Sequence, residues 1–159
     1  IASCPARQPP QESARLSAFA RPAETVRLPD RKTLLYVEDN PLNLALVAGL
    51  IHFRPDLDLL SAGDGQTGLD LARRHLPQLI LMDSDLPDIS GTQVMQLLRA
   101  DARTAHIPVI ALTAVAGPGD IRQGLAAGYY RYLTKPIDVQ AFSEAINSAL
   151  ESATAQRSA

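Results

Sequence analysis

The apolar run that ends at a carboxylate in the middle of this chain constrains its fold more than any other feature. Residues 79–82 are Leu, Ile, Leu and Met, Asp83 follows directly, and a turn sequence leads to Gly91. A continuous apolar run bounded by a turn signal is typical of a strand buried on both faces of a parallel sheet. Asp83 then lies at the carboxyl end of that strand, where open α/β sheets bind ligands. Asp83 is therefore the leading candidate for a functional residue.

Four more apolar segments alternate with helical patterns along the chain. The Asn40-Pro41 pair predicts a capped helix start. In the helix at 92–100, the pattern predicts that Val94, Leu97 and Leu98 face the core. The predicted strands are 34–37, 57–60, 79–82, 107–112 and 130–133, and the predicted helices are 41–52, 66–75, 92–100, 139–150 and one from the Gly-Pro-Gly turn at 117–119 to about 127.

This alternation predicts an α/β fold with a doubly wound, five-stranded parallel sheet and helices on both faces. The first, third and fourth strands are wholly apolar before their last residue, so we expect them in the interior. The second and fifth strands carry Asp58 and Arg131, so we expect them at the edges. The flavodoxin-like order 2-1-3-4-5 satisfies both expectations and places the switch point between strands one and three.

Three carboxylates converge at that switch point. Glu38 and Asp39 follow the first strand, and Asp83 follows the third. Because neighbouring strands lie about 4.8 Å apart, these side chains share one pocket, and like charges so close require a positive partner. Mg²⁺ suits them because it prefers an octahedral oxygen shell with one or two carboxylates and several waters. We therefore predict a Mg²⁺ site with Asp39 and Asp83 as direct ligands and a backbone carbonyl just beyond Asp83 as a third.

Thr113 and Lys135 end the next two strands at the same edge. A metal-polarised phosphoryl group held in line with Asp83 can be transferred to its carboxylate as an acyl phosphate. Thr113 and Lys135 would then stabilise the phosphoryl oxygens. The pattern therefore predicts phosphoryl transfer to the chain itself.

With these residues, the chain resembles a receiver domain of two-component signalling, the kind found in response regulators and hybrid sensor histidine kinases. The resemblance covers roughly residues 33–150. It rests on four motifs in order: the acid pair Glu38-Asp39, the Leu-Met-Asp-x-x-Leu-Pro-x-x-x-Gly sequence around Asp83, Thr113-Ala114, and Lys135-Pro136.

The resemblance implies a role for each residue of the pocket. Asp83 would be the phosphoacceptor and Asp39 a direct Mg²⁺ ligand. Glu38 would bind the metal through water, and Asp85 would bind it through its backbone carbonyl.

The resemblance also implies a switch and partners. Thr113 and Tyr132 would form the switch pair, and the Lys135-Pro136 peptide bond would be cis. The phosphoryl donor would be a histidine kinase or a histidine phosphotransfer protein. A partner protein would bind the face formed by about residues 120–150.

We divide the chain into a Pro-rich linker or tail (1–32), the receiver domain (33–151) and a flexible tail (152–159). The sequence segments around Tyr36 and Tyr132 are most similar to the C-terminal receivers of hybrid kinases. We therefore expect the linker to follow a kinase core, and we expect the domain to lie in the cytoplasm. The formal net charge of −2 and 20% charged residues indicate neither a nucleic-acid partner nor membrane contact by this fragment.

Two alternatives remain open. Asp83 and Asp85 also resemble the Asp-x-Asp nucleophile motif of haloacid-dehalogenase-type phosphatases, which use Mg²⁺ and an aspartyl phosphate. That motif normally ends the first strand of its domain, whereas an acid-ended strand precedes it here. The second alternative is a receiver-like interaction module that is never phosphorylated.

A further hypothesis concerns the lifetime of the acyl phosphate. Val115, two residues after Thr113, offers no hydrogen bond to orient a hydrolytic water. We expect this loss of positioning to outweigh any water contact that Asp85 provides, and so we expect slow self-dephosphorylation.

Overall fold

The computed structural model of this chain describes residues 31–114 and 117–157. The predicted linker up to residue 30, Val115 and Ala116 therefore lie outside the described residues. Five strands alternate with five helices: β1 (Lys32–Val37), α1 (Pro41–His52), β2 (Leu57–Ala62), α2 (Gly65–His75), β3 (Leu79–Asp83), α3 (Gly91–Ala100), β4 (Val109–Thr113), α4 (Pro118–Ala127), β5 (Arg131–Thr134) and α5 (Val139–Arg157).

The five strands form one parallel sheet in the order β2-β1-β3-β4-β5. This confirms the predicted fold class, the predicted order and the two edge strands. The register pairs Val37 with Met82, and Asp83 with Leu112. Glu38 and Asp83 each stand one residue beyond the Val37–Met82 pair, so both lie at the same level of the carboxyl edge of the sheet.

Apolar side chains cover both faces of the sheet. Helices α1 and α5 pack on one face, for example through Val47 and Ile146. Helices α2 and α3 pack on the other face, for example through Leu69 and Val94. Strand β3 is buried along its whole length, as its uninterrupted apolar run predicted. No described helix combines the length and apolar character needed to cross a bilayer.

Side-chain caps fix where α1 and α2 begin. Asn40 caps α1 by accepting a hydrogen bond from the Leu42 N–H at 2.9 Å, with Pro41 in the first turn, as predicted. Helix α2 has two carboxylates at its start. Asp64 accepts from the Thr67 N–H at 2.7 Å, while Asp88, from the loop after β3, accepts from the Gly65 N–H at 2.8 Å.

Two expectations about the helices were wrong in detail. Leu97 is 41% exposed, and Met95 is buried beside Val94 and Leu98 in its place. Consecutive residues of a helix are rotated by about 100° around its axis. Val94, Met95 and Leu98 therefore share the face toward the core, and Leu97 lies beside that face, partly in solvent. Helix α5 continues to Arg157 beyond its predicted end at 150, because residues 151–157 contain no glycine or proline to stop it.

Candidate functional site

The carboxyl edge of the sheet brings three carboxylates into one pocket. One side-chain oxygen from each of Glu38, Asp39 and Asp83 lies within 4.8 Å of the other two. Glu38 and Asp83 are 2% and 4% exposed, whereas Asp39 is exposed at the mouth of the pocket. The predicted acidic cluster is therefore present, with two acids inside the pocket and one at its opening.

Lys135 is the cation that faces this cluster. Its ammonium nitrogen lies 3.1 Å from Asp83 Oδ1 and 3.2 Å from Glu38 Oε2. Burial alone would lower the pKa of Lys135, but the hydrogen bonds to Asp83 and Glu38 raise it above its ordinary value. Lys135 therefore stays charged and offsets part of the repulsion between the two buried acids.

Both oxygens of Glu38 are held by groups of the protein. Oε2 accepts from the Tyr36 hydroxyl at 2.9 Å as well as from Lys135, and Oε1 accepts from the Asn40 N–H at 3.1 Å. Burial would raise the pKa of Glu38, but these three hydrogen bonds together lower it. Glu38 is therefore a fixed negative charge at the base of the pocket.

Asp83 has a different electrostatic environment. Burial raises the pKa of its carboxyl group, and the neighbouring charge of Glu38 raises it further. Hydrogen bonds from Lys135 and from the Asp85 N–H, which lies 3.3 Å from Oδ1, act in the opposite direction. The net effect is an increase, so the ionised form of Asp83 is less stable here than in water.

Of the remaining predicted residues, Thr113 and Asp85 lie at the carboxyl edge beside this pocket, whereas Tyr132 lies farther back in β5, paired with Ala111. Thr113 is buried at the end of β4, and its carbonyl accepts from the Lys135 N–H at 2.8 Å. Tyr132 is half-buried in β5, and Asp85 is exposed beside Asp83. The peptide bond between Lys135 and Pro136 is cis, which confirms that prediction.

Sequence reasoning missed two residues that support the site. Tyr36 was assigned only to a strand, yet its hydroxyl fixes Glu38; a tyrosine two residues before the acid pair, on the same face of the strand, was the available signal. Asp88 lies in the turn sequence after Asp83, and no role was predicted for it. Its carboxylate binds the N–H groups of Gly65 and Gln66 and so ties the loop after Asp83 to helix α2.

The donor set fits a hard divalent cation. Three carboxylate oxygens converge within 4.8 Å, and among the described residues Lys135 is the only cation within 4.0 Å of Glu38 or Asp83. Two buried negative charges therefore face one positive charge, before the exposed Asp39 is counted. A cation with oxygen ligands would relieve that imbalance, and a phosphoryl group could reach Asp83 once the repulsion is reduced.

Comparison with known proteins agrees with this geometry. The family model described as "Response regulator receiver domain" matches residues 34–147, a range that includes all the pocket residues. This assignment argues against the dehalogenase-type phosphatase alternative, because the pocket belongs to a receiver fold in which the nucleophile candidate follows the third strand.

Relatives and solved structures extend the comparison. The chain is 46% identical over 122 residues to the polar-differentiation response regulator DivK of Brucella anthropi, covering 75% of this chain and 96% of DivK, and the value is the same for DivK of Brucella ovis. It is similar to the receiver domain of the sensor histidine kinase PA1611 from Pseudomonas aeruginosa, a structure with magnesium coordinated in the active-site cleft (30% identity, 76% of this chain, 98% of that chain, TM-score 0.69). A response regulator from Desulfuromonas acetoxidans gives 26% identity, coverage of 76% and 97%, and a TM-score of 0.69. The chain belongs to the family of response regulator receiver domains.

Proposed function

We propose that this receiver accepts a phosphoryl group from a phosphohistidine donor onto Asp83, with Mg²⁺ bound, and relays it as a conformational switch in a phosphorelay. The observation that carries this proposal is the convergence of Glu38, Asp39 and Asp83 within 4.8 Å at the carboxyl edge of the sheet, with Lys135 3.1 Å from Asp83. A buried carboxylate with a fixed cation beside it and an open acidic mouth is suited to receive a phosphoryl group.

The contacts of the three acids support different roles toward Mg²⁺. Asp39 forms no hydrogen bond or ion pair to any residue that the structure describes, so its carboxylate is available as a direct ligand beside Asp83. Both oxygens of Glu38 already accept protein hydrogen bonds, which favours a contact through water. The backbone carbonyl of Asp85 supplies the remaining proposed ligand. When bound, the cation would neutralise charge on the phosphoryl oxygens.

The transfer itself exchanges one bond for another. The P–N bond of the phosphohistidine breaks while a P–O bond to an Asp83 carboxylate oxygen forms, and the imidazole leaves with its electron pair. Lys135 is already within hydrogen-bond distance of Asp83, so its ammonium group can follow the developing charge onto the phosphoryl oxygens. We assign the same role to the Thr113 hydroxyl at the end of the adjacent strand.

We assign docking of the donor to the exposed face of helix α1. This helix begins immediately after the acid pair, so a protein that covers the pocket mouth must also meet its first turn. Leu42 is 78% exposed, and Leu46 in the helix and Phe53 directly after its last residue are also exposed. These side chains form an apolar strip that begins beside the pocket. Such a strip fits a donor protein that has an apolar helical surface next to its phosphohistidine.

The output of the domain is proposed to be a movement at Tyr132. If Thr113 shifts toward the phosphoryl group, Tyr132 can fill the vacated space and change the face formed by residues 120–150, where we place the downstream partner. The phosphorelay would operate in the cytoplasm. That this chain is the C-terminal receiver of a hybrid sensor histidine kinase stays a prediction.

The test is intact-mass analysis after incubation with Mg²⁺ and acetyl phosphate. We expect one added phosphoryl group in the wild type and in Asp85→Asn, which keeps the backbone carbonyl. No addition is expected in Asp83→Asn or in excess chelator. Labelling of Asp83→Asn would contradict the assignment, and an unlabelled wild type would favour the unphosphorylated interaction module.

A second comparison tests docking. Leu42→Ser should slow transfer from a phosphorylated histidine phosphotransfer protein and leave labelling by acetyl phosphate unchanged, because the small donor needs no docking surface. Leu125→Ser, on the exposed surface of α4, is the matched control. Equal transfer rates for both variants would rule out α1 as the donor surface.

A further inference from the structure

The ring of Tyr132 lies directly on the backbone of helix α4 at Gly124. A Cβ atom added to Gly124 would lie 1.9 Å from the Tyr132 hydroxyl oxygen and 2.0 Å from ring atom Cε2. Ordinary van der Waals contacts of a Cβ begin at 3.4 Å. Glycine is therefore the only residue type at position 124 that leaves room for the ring in this position.

Backbone geometry gives no other reason for glycine at this position. Gly124 is in the interior of α4, and its φ lies outside the left-handed range, in contrast to Gly128 with φ 108°. Glycine in a helix interior costs about 1 kcal/mol relative to alanine. The room that Gly124 leaves for the Tyr132 ring is therefore what alanine at this position would not provide.

Packing holds Tyr132 in this space. Its ring meets Tyr129 edge to face, with 5.3 Å between ring centroids and an interplanar angle of 67°. The Tyr132 hydroxyl forms no hydrogen bond to any residue that the structure describes. The ring also lines a groove of about 170 Å³ together with Ile121, Ile137 and Ala141. Contacts of this kind allow the ring to move without breaking a hydrogen bond.

Tyr132 is also close in register to the phosphoryl site. It pairs with Ala111 on β4, two residues before Thr113. A ring that leaves the surface of α4 therefore stays beside β4, whose last residue, Thr113, contacts the phosphoryl group in the proposed function. The position of the ring and the position of Thr113 can be coupled through this strand pair.

We propose that Gly124 is a positioning residue: the slot it leaves in α4 holds Tyr132 in the position of the unphosphorylated domain and so sets the balance of the switch. This inference rests on the proposed function, in which Tyr132 moves on phosphorylation. Filling the slot removes the starting position and favours the shifted one. By linkage, the same change strengthens binding of a phosphoryl mimic.

The test compares Gly124→Ala with Gly119→Ala, since a Cβ at Gly119 in the same helix meets nothing within 4 Å. Beryllofluoride with Mg²⁺ is titrated by calorimetry, and the Tyr132 ring resonances are recorded by NMR. We expect Gly124→Ala to shift the ring resonances and to bind beryllofluoride at least about fivefold more tightly. Gly119→Ala should change neither.

A double variant isolates the ring. In Gly124→Ala/Tyr132→Leu no ring is displaced, so its beryllofluoride affinity should equal that of Tyr132→Leu, and it should fold even where Gly124→Ala does not. Unchanged or weaker beryllofluoride binding by a folded Gly124→Ala variant would overturn the proposal. An equal gain in affinity when Gly124→Ala is added to Tyr132→Leu would also overturn it, because no ring is then displaced. If the wild type binds no beryllofluoride, both the proposed function and its coupling to the slot are wrong. The Tyr132 ring resonances of Gly124→Ala then show only whether Gly124 positions the ring.

Discussion

The ammonium nitrogen of Lys135 lies 3.1 Å from a carboxylate oxygen of Asp83, at the buried end of strand β3. The same nitrogen lies 3.2 Å from Glu38. One cation therefore forms ion pairs with both buried acids, and in the proposed function the same ammonium group contacts the incoming phosphoryl group. The two ion pairs of Lys135 therefore bear on the stability of this pocket and on the proposed phosphoryl transfer.

We expect Lys135→Met to destabilise the metal-free domain by about 3 kcal/mol, because it leaves two buried carboxylates without their counter-charge. Mg²⁺ should restore part of this loss, since it supplies positive charge and binds only the folded chain. Chemical denaturation with and without Mg²⁺ measures both effects. Arg131→Met, at an exposed position of β5, is the control and should change little. A loss that Mg²⁺ does not reduce would contradict the assigned role of Lys135.

Asp83→Asn should raise the thermal stability of the metal-free domain at pH 7. Burial, together with the charge of Glu38, raises the pKa of Asp83 in the folded state. Above that raised pKa the ionised carboxylate opposes folding, whereas below the ordinary pKa both folded and unfolded chains carry a neutral acid. The gain from asparagine should therefore be largest near neutral pH and shrink as the pH falls through the raised pKa.

Thermal unfolding of wild type and Asp83→Asn across that pH range measures this difference. Asp85→Asn serves as the control because Asp85 is exposed, and its unfolding temperature should follow the wild type. A lower unfolding temperature for Asp83→Asn at pH 7 would show that the ion pair with Lys135 outweighs the cost of burial.

The prediction of slow self-dephosphorylation rests on the sequence, since Val115 lies outside the described residues. Valine cannot orient a water behind the phosphorus, and positioning is most of what a protein contributes to hydrolysis. Val115→Gln and Val115→Glu should each speed loss of the acyl phosphate by about tenfold or more. A time course after removal of acetyl phosphate decides this, with Val115→Leu as the control. Equal or slower loss in both polar variants would mean that Val115 does not control the water.

The sequence was sufficient to predict the fold and the composition of the pocket, for a physical reason. Four of the five strands end in, or are directly followed by, a polar site residue or pair, and parallel strands bring those ends to one edge. Glu38 and Asp83 therefore had to meet once the order of β1 and β3 was inferred from which strands carry a charge. The two charged strands, with Asp58 and Arg131, indeed lie at the edges.

Contacts that depend on the direction of a side chain could not be predicted from the sequence pattern. The slot at Gly124 requires the rotamer of Tyr132, which no pattern of residue types specifies. The misplacement of Leu97 has a similar origin, since the four apolar residues at 94, 95, 97 and 98 fit more than one helix face. Asp88 was missed because a carboxylate in a loop carries no sign of which helix it will cap.

The last prediction concerns Arg99, whose guanidinium binds backbone carbonyls rather than an acid. It donates to the carbonyl oxygens of Ala105, of Ile107 at 3.1 Å and of Gly128 at 2.8 Å. Burial lowers the pKa of Arg99, although an arginine stays charged at neutral pH. These bonds join the segment before β4 to the C-terminal end of α4.

Arg99→Met keeps the aliphatic stem but leaves those carbonyls without their donor, so we expect a loss of about 2 kcal/mol, the range for hydrogen bonds to a charged group. Denaturant unfolding measures it, and Arg122→Met, at an exposed position of α4, should unfold as the wild type does. Amide exchange should rise at Gly128 and Tyr129 in Arg99→Met while β1 stays protected, because the lost contacts join only these segments. A uniform rise across the sheet would show that Arg99 stabilises the whole domain and does not act as a local tie.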